Sequence, residues 1–130
     1  MRQSIGVSLA LCAFLAGATG QGFAAELKSV TDVGKALQAC WHPPADSKDS
    51  SVTLRFGFKR DGSLLGPPQP TSVQVKGDDT ARKAFVDAAV KAMTACTPLS
   101  FSSGLARGMA GQIFALSFGS DGSTTLGPAR

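Results

Sequence analysis

An α+β fold, with two helices packed on a three-stranded antiparallel sheet in the order α-β-β-α-β, is what this sequence predicts, on three observations. Residues 51–58, SVTLRFGF, alternate apolar Val52, Leu54, Phe56 and Phe58 with Thr53, Arg55 and Gly57, the pattern of a half-buried strand. Asp61-Gly62 follows, and because a tight turn needs a residue that accepts positive φ, this pair marks a hairpin whose return strand starts at Ser63 or Leu64. Two further stretches, one ending at Cys40 and one at Cys96, carry apolar residues at helical spacing and can cover the strand's apolar face.

The chain starts with a lone Arg2, the uncharged run SIGVSLALCAFLAGATG and small residues through Ala24 and Ala25, which reads as a secretory signal peptide over residues 1–24. The apolar run is closer to a signal core than to the roughly 20 residues a spanning helix needs, and an uncleaved membrane anchor is the alternative. Cys12 follows Leu11 where a lipid-attachment site wants a small residue. Removing the leader leaves Cys40 and Cys96, an even count that suggests a bridge in an oxidising compartment; two unconnected buried thiols are the other reading.

About 105 residues then remain, enough for one small domain, expected over residues 25–118 with a flexible tail at 119–130. Residues 29–40 predict the first helix, with Ser29 or Thr31 as cap and Val33, Ala36, Leu37 and Cys40 on one face. Trp41-His42-Pro43-Pro44 ends it, with Trp41 a core or core-edge residue and His42 an ordinary turn residue. Pro67, Pro68 and Pro70 lack an N–H, so the return strand belongs at a sheet edge that resists another strand. Asp78 or Asp79 caps the second helix, in which Phe85, Ala88, Ala89, Ala92 and Cys96 share a face, and Pro98 stops it. The last strand, residues 111–119, alternates Phe114, Leu116 and Phe118 with Ile113, Ala115 and Ser117, so neither face is fully polar. No internal repeat is read.

Several functional classes fall away on composition. The 13 Lys and Arg, less Arg2, stand against 9 acidic residues and are dispersed, unlike a nucleic-acid surface. One His and two distant Cys make a poor zinc set, and no cofactor or small-molecule substrate is expected. With one His, Glu26 as the only Glu and no nucleophile motif, the ingredients for catalysis are poor; the Asp78-Asp79 pair is better explained as helix caps.

In order along the chain stand CWHPP after a helix, an alternating strand with the turn KRDG, then GDDTARKAFVDAAVKA, CTPLSF and a last strand FALSF. This ordered set, over about residues 29–118, resembles the C-terminal domain of the TonB and TolA proteins. The resemblance implies a small α+β domain in the periplasm of Gram-negative bacteria, without catalytic activity. The edge of its last strand accepts an extended peptide from a periplasmic or outer-membrane protein. The matching strand here is Gln112, Ile113, Phe114, Ala115, Leu116, Ser117 and Phe118, its backbone supplying hydrogen bonds and Ile113, Ala115 and Ser117 the outward side chains. A homodimer would compete for the same edge, and the alternative is that the strand simply completes a closed core. The chain lacks the Pro/Lys-rich or long helical spacer of TonB and TolA, so a free-standing periplasmic domain is expected. A short membrane-anchored TonB-like protein and a disulfide-bridged periplasmic inhibitor or scaffold are the alternatives.

Overall fold

The computed structural model describes residues 26–129, so the expected leader at 1–24 lies outside the described residues. In chain order the elements are α1 (Val30–Ala39), β1 (Ser51–Gly57), β2 (Gln69–Gln74), α2 (Asp79–Cys96), α3 (Ser103–Met109), β3 (Ile113–Gly119) and β4 (Thr124–Pro128). The strands form one sheet in the order β2-β1-β3-β4, every neighbouring pair antiparallel. The α+β class stands, while the expected three strands are four and the expected two helices are three.

The two added elements have identifiable causes. Asp121-Gly122 repeats the turn chemistry of Asp61-Gly62: Gly122 takes φ +90°, its N–H donates to Gly119 O, and Gly119 N–H donates to Ser123 O. The chain therefore folds back along β3, and residues 124–128 of the expected tail become β4. The short α3 contains two glycines, which weaken helix propensity, yet Ser102 caps its first turn and Ala106 and Met109 are buried. Tertiary burial outweighs propensity there.

The first hairpin also departs from expectation. Lys59 N–H donates to Ser63 O and Phe58 bridges Leu64, so the Asp-Gly turn forms where predicted. Gly66 then turns left-handed at φ +80°, Pro67 and Pro68 follow, and regular pairing resumes only at Gln69, with a bulge opposite Thr53 and Leu54. β2 is a sheet edge, as its prolines require.

Burial follows the period-two pattern. Val52, Leu54 and Phe56 of β1 and Phe114, Leu116 and Phe118 of β3 are buried, together with Val33 and Leu37 of α1 and Phe85, Ala89 and Met93 of α2. Thr53, Arg55, Ala115 and Ser117 lie on the other, uncovered face, where Thr53 Oγ1 and Ser117 Oγ are 2.8 Å apart. Trp41 is buried between Phe85 and Phe118, both edge-on with centroids at 5.5 and 5.0 Å, and its Nε1–H donates to Gly119 O at 2.8 Å. One aromatic thus ties the end of α1 to α2 and to the end of β3. Cys40 and Cys96 form a disulfide, their Cα atoms 5.9 Å apart.

The expectation that the chain has no internal repeat is corrected by the topology. Its order is αββ followed by α, the inserted α3, and ββ. The β1–β3 ladder is centred on Leu54 paired with Leu116, which occupy the same place in Leu54-Arg55-Phe56-Gly57 and Leu116-Ser117-Phe118-Gly119. The helices end in Lys35-Ala36-Leu37-Gln38-Ala39-Cys40 and Lys91-Ala92-Met93-Thr94-Ala95-Cys96, and Asp-Gly-Ser recurs at 61–63 and 121–123. α1 lies against β4, and α2 against β1 and β2, so each half lends its helix to the other half's hairpin. The disulfide joins the two cysteines that close the matching helix ends.

Candidate functional site

The strand expected to present an open ladder is enclosed. β3 pairs with β1 along one side, from Gly57↔Ile113 to Ser51↔Gly119, and with β4 along the other, from Phe114↔Pro128 to Phe118↔Thr124. Phe114, Leu116 and Phe118 point into the core; Ile113, Ala115 and Ser117 lie on the uncovered face, and Gln112, just before the strand, donates from Nε2 to Gly108 O at 2.8 Å. The expectation of strand addition on residues 112–118 is therefore corrected. Its edge is already filled by the chain's own residues 124–128, because the Asp121-Gly122 turn brings them back.

The sheet's outer edges are β2 and β4. Gly119 N–H donates to Ser123 O and Ala129 N–H to Ile113 O, so the odd-numbered residues of β4 carry the bonds to β3. Alternation along an antiparallel pair then turns the backbone groups of Thr124 and Leu126, and the carbonyl of Pro128, outward. These are two N–H donors and three acceptors along one free edge. The ladder position next to Leu54 in β2 is held by Pro70, which has no N–H to offer; the position next to Leu116 in β4 is held by Leu126, which has one.

A surface groove runs between α1 and this edge, lined by Val30, Gly34, Lys35, Gln38, Thr124 and Leu126. Its shape comes from the helix. Val33 and Leu37 turn into the core, which places Gly34 toward the sheet edge, where a Cβ would sit 3.9 Å from Leu126. Val30 is 46% exposed at the groove's end, and with Leu126 it supplies the apolar part of a lining whose other side chains are polar. Lys35 on the wall makes no ion pair among the described residues; the pairs that do form, Lys76 with Asp49 and Lys83 with Asp87, are elsewhere. The hydrogen bond from Lys83 to Asp87 raises the Lys83 pKa.

Other candidates take structural positions. Asp78 accepts from Ala81 N–H at 2.9 Å and is the cap of α2, with Asp79 in the first turn. His42 is exposed beside the disulfide, in a shallow depression with Lys91 and Ala95. Among the described residues no three His, Cys, Asp or Glu side chains gather where they could hold a metal, and no helix is long and apolar enough to cross a membrane. Sequence reasoning missed Gly34, Thr124 and Leu126. The signal that could have found them is the second Asp-Gly-Ser, which predicts a second hairpin as firmly as the first.

Helices on one face of an antiparallel sheet, with one edge left open beside a helix, define a two-layer α+β domain whose candidate site is a sheet edge. The chain belongs to the family described as uncharacterised conserved protein UCP034077, whose model matches residues 23–122. No curated protein and no solved structure matches the chain.

Proposed function

We propose that this chain is a non-catalytic protein-binding module of the Gram-negative periplasm, similar to the C-terminal domain of TonB and TolA. It takes an extended segment of an envelope protein onto the outer edge of β4. The observation that carries this reading is the row of outward backbone groups at Thr124 and Leu126 beside the α1 groove. Main-chain bonds to such an edge supply affinity whatever the partner's sequence, and the groove reads alternate side chains. The leader-like N-terminus and the Cys40–Cys96 bridge support an oxidising compartment.

Site-specific photo-crosslinking in the envelope tests the reading. A crosslinker placed at Gln38 should trap one defined segment of a partner, and the same group at Ser72 on β2 should not. Thr124→Pro removes one outward N–H and leaves the bonds to β3 intact, so it should abolish the Gln38 crosslink while the protein still melts cooperatively. Equal crosslinking from both edges, or a Gln38 crosslink that survives Thr124→Pro, would sink the reading.

A further inference from the structure

We infer that the chain is a fused pair of αββ units whose two outer edges have diverged, one sealed and one opened into a side-chain pocket. The opened edge selects an extended peptide that seats a large apolar residue over Gly34 and, two positions along, an acidic residue beside Lys35. This rests on the reading of β4 as a peptide-binding edge and names the chemistry of its partner.

The two halves supply their own comparison. In the aligned helix ends, Val30, Gly34 and Lys35 of α1 correspond to Val86, Val90 and Lys91 of α2. Val86 and Val90 of α2, like Val73 and Val75, are partly buried against the core, and α2 lies beside β2. At the matching place beside β4, Gly34 supplies no side chain, and the nearest atoms to its missing Cβ are Leu126 Cβ and Cδ2 at 3.9 Å. At this place α1 is slimmer than α2 by one valine side chain, and Leu126 lies against the gap. The edges differ at this position, since Pro70 removes an outward N–H from β2 where Leu126 keeps one in β4.

The occupant follows from this geometry. A peptide paired to β4 directs every second side chain toward α1. The one over Gly34 meets Val30 and Leu126, the apolar part of the lining, which a leucine can bury and a glycine leaves uncovered. A neighbour on the same face reaches Lys35, which forms no ion pair among the described residues although Glu26 and Asp32 line a depression with it. An acidic peptide residue complements it and a basic one is repelled.

The test uses the full chain as exported and the capped peptide Thr-Val-Thr-Leu-Thr-Glu-Thr, with versions in which the leucine is glycine or the glutamate is lysine. Binding is followed at the backbone amides of Thr124 and Leu126 by NMR. The parent peptide should perturb both, the glycine version should bind about tenfold more weakly, and the lysine version should also lose affinity. Gly34→Ala puts a methyl in ordinary contact with Leu126 and should weaken the leucine preference; the larger Gly34→Val should erase it. Lys35→Glu, on the exposed wall, should shift preference to the lysine version. If the peptides perturb Thr124 and Leu126 equally and Gly34→Ala and Lys35→Glu change nothing, the pocket is refuted while the edge reading stands. If no peptide perturbs those amides, both are refuted.

Discussion

Gly62 and Gly122 show how much one residue's surroundings can add to the same local chemistry. Both sit second in an Asp-Gly-Ser turn at positive φ, +86° and +90°. A Cβ at Gly62 would fall 1.8 Å from Leu99 O, because the first turn docks onto that backbone and accepts the Leu99 N–H at 3.0 Å; a Cβ at Gly122 meets nothing. Gly122→Ala should therefore cost only the left-handed strain, about 1–2 kcal/mol. Gly62→Ala adds a backbone collision that cannot be relieved by a rotamer change, and should exceed it by roughly 2 kcal/mol or more in urea unfolding. The turn at Asp61-Gly62 was legible from the alternating residues before it. Its seat against Leu99 was not, since nothing local links residues that far apart.

At the scale of elements, the two turns also share their electrostatics. Asp61 accepts from the Ser63 hydroxyl and N–H, and Asp121 from those of Ser123, and these bonds hold both carboxyls below their ordinary pKa. A carboxyl whose folded pKa is lowered stabilises the fold above its unfolded value and loses that contribution as pH falls through the folded value. Stability should thus decline on acidification below about pH 4, and the Asp61→Asn, Asp121→Asn double variant should show a shallower decline over that interval in chemical denaturation at stepped pH. Helices α1 and α2 were legible because caps and apolar spacing agree: Ser29 and Asp78 cap them, and Val33, Leu37, Phe85 and Ala89 are buried. β4 was not, because Thr-Thr-Leu-Gly-Pro buries no residue fully and owes its place to the turn before it and to pairing with β3. That miss carried the candidate site with it, since a frayed tail would have left β3 open.

Across the whole molecule, the repeat escaped sequence reading because its matching strings are short and unequally spaced: residues 66–70 lengthen the first hairpin and α3 lengthens the second half. The paired cysteines were legible from the even count that remains once the expected leader, with Cys12, is set aside. Their bridge spans a sequence separation of 56 residues, and on the chain-entropy account such a loop is worth about 4 kcal/mol. A Cys40→Ser, Cys96→Ser variant should lose up to that amount, measured as a lower urea midpoint than the oxidised protein, with the largest effect where α1 and α2 meet. The exchanged helices and the covalent tie together change how the molecule meets a protease. Lys76 and Gly77, in the exposed connector between the halves, offer a cleavable peptide bond. Severing it leaves two fragments joined through sulfur, zipped by the β1–β3 ladder and each clasping the other's helix. A nicked molecule would therefore keep its shape and its open edge, so a cut at this exposed joint would be survivable.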